Sequence, residues 1–286
     1  MAQNDLTQGS IIGNISRFSL PYMLSYFLQI LYGLADMFVI GQYCGVDSTT
    51  AVANGAQIMH MFTVIIIGLA MGTTVRLGRA IGAKDKNEAS KTIGNTFTLF
   101  ALTAIVATFI LLLANRSIVS MIDTPPEAVK GTIDYLRICF IGIPFIIAYN
   151  IIASIFRGLG DSKSPMYFVI VACVANIALD YIFIGHFGLG PSGAALGTTL
   201  SQMISVIIAA IVIRRKSLLN ISGQDLRPER RTMGGILKIG VPVALQDGFI
   251  QIAFIAITAI ANGRGLNDAA AVGIVEKFIG LLFIVP

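Results

Sequence analysis

The sequence predicts an all-α polytopic membrane protein, and two observations support that fold class. Hydrophobic residues make up 55% of the 286 residues, only 12% are charged, and the mean hydropathy is +0.81. Ordinary soluble domains are about 25% charged. Long stretches also lack charge altogether, as in residues 48–75 and 181–213. Because about 20 apolar residues cross a bilayer core, the chain should cross the membrane several times.

Eight helices are predicted in order along the chain, each an apolar segment bounded by charged or turn-forming residues. They cover residues 17–40, 50–74, 92–114, 133–156, 165–186, 193–213, 236–261, and from 270 onward. Pro21 and Pro144 interrupt the first and fourth of these helices, either as static kinks or as hinges. Neighbouring helices can satisfy the backbone groups that the two prolines free.

The basic residues predict the orientation of these helices. If the N-terminus is cytoplasmic, fifteen of the twenty Lys and Arg residues lie on the cytoplasmic side, as the positive-inside rule requires. These are Arg17, Arg76, Arg79, Lys84, Lys86, Lys91, Arg157, Lys163, Arg214, Arg215, Lys216, Arg227, Arg230, Arg231 and Lys238. The net charge of +5 therefore reflects topology and not nucleic-acid binding. We expect a multi-pass protein of the cytoplasmic membrane.

A weak internal repeat predicts the domain organisation. Residues 13–21 (GNISRFSLP) recur as residues 234–242 (GGILKIGVP), each time at the start of a helix that follows a cytoplasmic segment. Six helices separate the copies, so both would run in the same direction, which is one of the two usual transporter plans. We expect a six-helix N-lobe at residues 1–231 and the first two helices of a parallel C-lobe at residues 232–286. The chain would then be a truncated twelve-helix protein that needs the missing C-lobe helices for function.

Asp36 is the most informative residue, because residues 18–35 before it carry no formal charge. A carboxylate within a membrane costs about 2.5 to 3.5 kcal/mol on insertion scales. At 1.5 Å per residue, Asp36 and Asp180 should lie about 6 and 7 Å inside the outer ends of their helices. Thr198 should lie at a similar depth, and Asn176 one turn deeper on the face of Asp180.

Two carboxylates this close in a poorly solvated cavity cannot both ionise cheaply. The pair could hold a proton or, with the Asn176 and Thr198 oxygens, a small hard cation such as a transient Na⁺, without a tightly bound metal. Alternatively, each acid is simply hydrogen-bonded between helices or faces an outer vestibule. Gln29 and Tyr32 share the helical face of Asp36, which would line the same cavity.

Other patterns carry less information. Residues 68–72 and 193–197 are small-xxx-small patterns that favour close helix packing. Residues 190–193 (GPSG) fit an intramembrane protease pattern, but both histidines precede Ser192, which argues against an enzyme. Asp247 and Glu276 are acids within the predicted C-lobe helices and are candidates for a second site.

The sequence resembles the multidrug and toxic compound extrusion transporters. Pro21, Gln29, Tyr32 and Asp36 on the first helix, Asn176 and Asp180 on the fifth, and Thr198 on the sixth are similar to that family's pattern, as are residues 68–72, 79–83 and 157–161. The resemblance implies a two-lobed antiporter that exports organic cations or other amphipathic compounds in exchange for H⁺ or Na⁺, without a cofactor. It also implies alternating access, a helix that bends near Pro21, and a coupling site at Asp36, Asp180, Asn176 and Thr198.

Two questions stay open at the level of sequence. Another branch of that family has cation-binding acids in the C-lobe, and Asp247 and Glu276 cannot be matched to those positions. A lipid or lipid-linked oligosaccharide flippase of related architecture is the alternative function. Basic residues lining the central cavity would favour the flippase, whereas the cavity candidates in the sequence are acidic or neutral.

Overall fold

The computed structural model describes residues 10–215 and 222–282, and within those ranges it consists of helices without strands. The first five helices are α1 (Ile11–Tyr43), α2 (Val46–Gly82), α3 (Lys86–Met121), α4 (Pro126–Ile141) and α5 (Ile143–Gly158). The rest are α6 (Lys163–Asp180), a π-helical turn (Tyr181–His186), α7 (Gly190–Arg215), α8 (Arg230–Arg264) and α9 (Leu266–Leu282).

The helices match the predicted membrane plan. Among the described residues, six helices are long and apolar enough to span a bilayer, and α4 with α5 forms a seventh span bent by 53°. The shorter apolar helix, α9, begins the eighth predicted segment. The predicted all-α, multi-span fold class is confirmed, while the division into lobes at residues 1–231 and 232–286 stays a prediction. The predicted boundary after residue 231 falls in the first turn of α8.

The helices are longer than the apolar stretches that predicted them, and at the start of α3 a polar side chain caps the extension. Helix α3 starts six residues earlier than predicted, at Lys86 instead of residue 92. The Asp85 carboxylate accepts a hydrogen bond from the Glu88 backbone N–H at 3.0 Å, which satisfies a donor that would otherwise be free. Such caps extend helices into the interfacial region, beyond the charge-free part of the sequence.

The two helix prolines behave differently. Pro144 lies in the first turn of α5, directly after the 53° break at Gly142, so the predicted interruption of the fourth span is confirmed. Pro21 does not interrupt its helix, because α1 continues from Ile11 to Tyr43. A proline removes only one backbone donor, so one missing bond need not end a helix of 33 residues. The Ser25 hydroxyl donates to the Pro21 carbonyl at 2.7 Å. Whether Pro21 acts as a static kink or as a hinge stays a prediction.

Helix α8 packs tightly along α2, which joins the two lobes. A Cβ atom at Gly68 would collide with the Ala244 backbone, and one at Gly72 with the Ile236 carbonyl. Gly240 of α8 lies equally close to the Leu69 backbone. These contacts confirm that the small residues at 68 and 72 serve close helix packing.

The segment between the lobes, residues 222–229, is held against α3. The Asn95 amide donates to the Asp225 carbonyl at 3.2 Å and accepts from the Glu229 N–H at 2.7 Å. Thr98 donates to the Leu226 carbonyl at 2.7 Å. We call residues 222–229 the inter-lobe segment. Hydrogen bonds from α3 side chains to its backbone hold this segment on the surface of α3.

Candidate functional site

Asp36 of α1 and Asp180 of α6 form a buried carboxyl pair. Their exposed fractions are 7% and 0%, and the two side chains lie within hydrogen-bonding reach of each other. Two ionised carboxylates repel at such a distance, and a shared proton or a cation between them relieves that repulsion. The Thr198 hydroxyl of α7 lies 3.5 Å from Asp36 Oδ2, at the long limit of a hydrogen bond.

Asn176 lies one helical turn before Asp180 and is 1% exposed. Neither its amide oxygen nor its amide nitrogen has a hydrogen-bond partner among the described residues, and neither oxygen of Asp180 accepts a bond from an N–H or O–H group there. Buried polar atoms are nearly always satisfied in folded proteins. The oxygens of these two side chains therefore suit a proton, a water molecule or a hard cation such as Na⁺ as a further partner.

Gly197 of α7 closes the other side of this pair. A Cβ atom at Gly197 would overlap Asp180 Oδ1 and would lie 3.6 Å from Asn176 Nδ2. The sequence pattern indicated only a packing role for Gly197. Its spacing from Gly193 predicted a close helix contact, but nothing in that pattern indicated that the contact was with a carboxylate.

Further polar side chains surround the pair, and of these the sequence singled out only Tyr32. Tyr135 and Cys139 of α4 are buried next to each other and near Asp36. Thr199 of α7 lies within reach of Cys139. Tyr32 of α1 is adjacent to Asp36 and within reach of Gln202 of α7. We call Asp36, Asp180, Asn176, Thr198 and Gly197 the acid cluster; four helices, α1, α4, α6 and α7, enclose it.

A change of helix type follows the acid cluster directly. Helix α6 ends at Asp180, and the π-helical turn Tyr181–His186 continues the span. Such turns are rare and occur often at functional sites. Tyr181 at its start packs edge-on against Tyr43 at the end of α1, with ring centroids 6.3 Å apart. Hydrophobic periodicity cannot reveal one wide turn, so the sequence predicted a plain helix here.

A separate cavity of about 260 Å³ lies between the two lobes. Gln29 of α1 lines it, together with His60 of α2 and with Asp247 and Gln251 of α8. Tyr32, Asp36 and Pro21 are not among its lining residues, so the structure does not bring Gln29 and the acid cluster into one cavity. Gln29 precedes Asp36 by seven residues, or about 10 Å along α1.

The polar groups of this cavity link the lobes. A ring nitrogen of His60, Nδ1, lies 3.2 Å from Gln251 Oε1.

Arg157 at the end of α5 lies over the Tyr22 ring at 5.4 Å and donates to the Ser154 hydroxyl at 3.0 Å. Among the lining side chains, Asp247 is the carboxylate and Arg157 the guanidinium. Glu276 falls within α9, but its side chain lies outside the described part of the structure.

Comparisons with known proteins give a consistent result. The family model described as MatE matches residues 21–182, more than half of the chain. The probable multidrug resistance protein YoeA of Bacillus subtilis is 30% identical over 94% of this chain and 60% of its own length. This chain therefore spans about 60% of that relative.

Solved structures show the same fold. A transporter of the MOP superfamily from Pyrococcus furiosus, whose binding pocket is described as having reverse polarity, is 29% identical with a TM-score of 0.87, over 98% of this chain and 62% of that one. Outward-facing and inward-facing structures of a multidrug resistance MATE family transporter are each 30% identical. Their TM-scores are 0.81 and 0.82, over 93% and 96% of this chain and 60% and 62% of theirs.

Proposed function

The chain belongs to the MatE family, and from that premise we propose that it is a secondary active antiporter of the cytoplasmic membrane. It exports amphipathic or cationic small molecules in exchange for H⁺ or Na⁺, with its N-terminus in the cytoplasm. It needs no cofactor beyond the coupling ion. Its relatives are transporters, which confirms the prediction that the protein is not an enzyme.

The observation that carries the proposal is the acid cluster. Asp36 and Asp180 are buried within reach of each other, while Asn176 and both Asp180 oxygens lack hydrogen-bond partners among the described residues. A permanent structural role would satisfy these atoms within the protein. The arrangement suits an ion that binds and leaves, with Thr198 supplying another oxygen 3.5 Å from Asp36.

The inter-lobe cavity is the proposed path for the exported compound. Gln29 lines that cavity and Asp36 belongs to the acid cluster, and both lie on the unbroken helix α1. A proton or Na⁺ bound at Asp36 can therefore change the position of α1 and with it the shape of the cavity. Bending near Pro21 is the proposed movement, because the missing backbone donor weakens the helix there.

The proposed transport cycle is one of alternating access. The related MATE transporter has both outward-facing and inward-facing structures. In the proposed cycle, the acid cluster takes up the ion from outside and releases it inside, while the exported compound leaves outward. A charge that moves inward gains about 2.3 kcal/mol per 100 mV of membrane potential.

The lipid flippase alternative finds less support in the cavity. Strongly basic lining residues would favour it, but the lining carries one arginine and one aspartate as its charged side chains. Arg157 is also engaged by Tyr22 and by the Ser154 hydroxyl. The Asp247 carboxylate lines the cavity and would attract a cationic compound there.

The experiment that tests the proposal is efflux of a fluorescent organic cation from vesicles that contain the full-length protein, with pH and Na⁺ gradients imposed separately. Asp36→Asn and Asp180→Asn should each abolish ion-driven efflux. Asp123→Asn is the matched control, because Asp123 is exposed in a loop and its positive φ of 47° suits asparagine. Undiminished ion-driven efflux in both cluster variants would overturn the proposed coupling site.

A further inference from the structure

A second pocket, of about 590 Å³, opens where the end of α2 meets the starts of α3 and α8. The positive-inside rule places these ends at the cytoplasmic surface. Arg76 and Arg79 of α2 and Lys238 of α8 line the pocket, as do Asp85 and Glu88. Ala80, Ala83, Gly235 and Ile239 supply its apolar surface. We call it the basic pocket.

Both acids of the basic pocket are already engaged by protein groups. The Glu88 carboxylate accepts from the Arg76 guanidinium, with Nε at 3.0 Å and Nη2 at 2.5 Å. The Asp85 carboxylate caps α3 by accepting from the Glu88 N–H. The positive end of the α3 dipole offsets the charge of Asp85. Neither acid forms an ion pair with Arg79 or Lys238 among the described residues.

Arg76 also ties the pocket to the second lobe. Its Nη1 donates to the Arg231 carbonyl at 3.4 Å, and its guanidinium lies against Gly235, where a side chain would collide with it. The Arg76 side chain of α2 is therefore held by contacts with both α3 and α8. Arg79 and Lys238 lie on helices α2 and α8, not on a flexible loop.

Arg79 and Lys238 have no ion-pair partner among the described residues, although both line the pocket and are exposed. One belongs to the first lobe and the other to the start of the second. Two cations that line one pocket without an ion-pair partner there favour a bound anion. The apolar surface of Ile239, Ala80 and Ala83 beside them fits the glycerol and upper acyl region of a lipid.

We propose that the basic pocket binds the phosphate of an anionic phospholipid from the cytoplasmic leaflet, held between Arg79 and Lys238. Basic pockets between helices on the cytoplasmic side bind lipid head groups by this chemistry. The bound lipid bridges the two lobes at their junction. The proposal does not depend on ion-coupled export, because it concerns a different part of the protein.

The test uses a tryptophan as a local reporter, since the chain contains none. Ala83→Trp places one at the exposed edge of the pocket. The purified protein is reconstituted in phosphatidylcholine vesicles that contain either dibrominated phosphatidylglycerol or dibrominated phosphatidylcholine, and quenching is measured at equal mole fractions. We expect the anionic lipid to be preferred roughly tenfold at the reporter.

Arg79→Gln with Lys238→Gln should remove that preference. The matched control is Arg214→Gln with Arg215→Gln, which deletes two exposed basic residues from the end of α7, outside the pocket. It should leave the preference unchanged. Equal quenching by the two lipids in the parent protein, or an equal loss in both double variants, would overturn the proposal. Loss of the preference on addition of millimolar glycerol phosphate would assign the pocket to soluble phosphate esters instead of lipid.

Discussion

Gly197 of α7 lies directly against the Asp180 carboxylate of α6, so close that no side chain fits between them. We predict that Gly197→Ala displaces Asp180 from the acid cluster. Overpacking a buried contact typically costs about 1 to 3 kcal/mol and shifts neighbouring side chains. Ion-driven efflux should fall at least about fivefold, although alanine is the better helix former.

Gly41→Ala is the control for this change. Gly41 also lies in a helix, α1, but a Cβ atom there has no neighbouring atom within 4 Å. Efflux measured in the same vesicles should match that of the parent protein. If Gly197→Ala were as active as Gly41→Ala, the position of Asp180 would not matter for coupling.

Asn95 fixes the inter-lobe segment to α3, and its removal should loosen the junction between the lobes. Asn95→Ala leaves the Asp225 carbonyl and the Glu229 N–H without this partner. A buried group left unsatisfied costs about 1 to 3 kcal/mol. We expect a lower unfolding temperature in detergent and faster proteolysis between residues 222 and 229.

Asn95 makes its two bonds to the inter-lobe segment from a site that is 1% exposed. Asn95→Asp keeps an acceptor for the Glu229 N–H, but it turns a carboxylate oxygen toward the Asp225 carbonyl, and burying an unpaired charge is costly. Its unfolding temperature should therefore be at least as low as that of Asn95→Ala. Thr103→Ala on the same helix is the control, because among the described residues the Thr103 hydroxyl bonds only to the Leu99 carbonyl of its own helix. Thr103→Ala as unstable as Asn95→Ala would show that the loss is not specific to the inter-lobe segment.

The sequence predicted the helices well because a bilayer imposes long apolar segments, and charge-free runs such as residues 48–75 are visible without any tertiary information. It could also indicate Asp36 and Asp180, because carboxylates at that depth are costly and stand out. Periodicity assigns a residue to a face of its own helix but does not place that face opposite a particular neighbour. Gln29 and Asp36 share a face of α1, yet they lie about 10 Å apart along its axis and meet different surroundings.

Asp247 should attract positively charged compounds into the inter-lobe cavity. Its carboxylate lines that cavity together with Gln29 and Gln251. Asp247→Asn should weaken the transport of cationic compounds severalfold, since a nearby unit charge in a partly desolvated site contributes at the level of a few kcal/mol at most. Transport of neutral amphipathic compounds of similar size should change little.

Asp268→Asn is the control for losing a negative charge outside the cavity. Asp268 is exposed in the first turn of α9 and does not line the cavity. Apparent KM values for paired cationic and neutral compounds, measured for both variants, separate the two effects. An equal rise in KM for cationic and neutral compounds in Asp247→Asn would contradict a charge-selective role.

Cys44 can report the orientation of the protein through its reactivity with thiol reagents. It lies between α1 and α2, at the predicted outer surface, and is partly exposed, whereas Cys139 and Cys173 are buried. A membrane-impermeant maleimide added to intact cells should therefore label Cys44, and Cys44→Ser should abolish the labelling. Labelling that requires access from the cytoplasmic side would reverse the proposed topology.

The pH dependence of this labelling follows from the pKa of the thiol. Burial raises the pKa of Cys44, and the Asp47 carboxylate raises it further. Because the thiolate is the reactive form, Cys44 should react more slowly than a free cysteine at pH 7. Its rate should keep rising with pH beyond the point where a free thiol, with a pKa of about 8.5, levels off. Asp47→Asn removes the smaller of the two effects that raise the Cys44 pKa, so labelling at pH 7 should become modestly faster. A slower labelling rate in that variant would contradict this account.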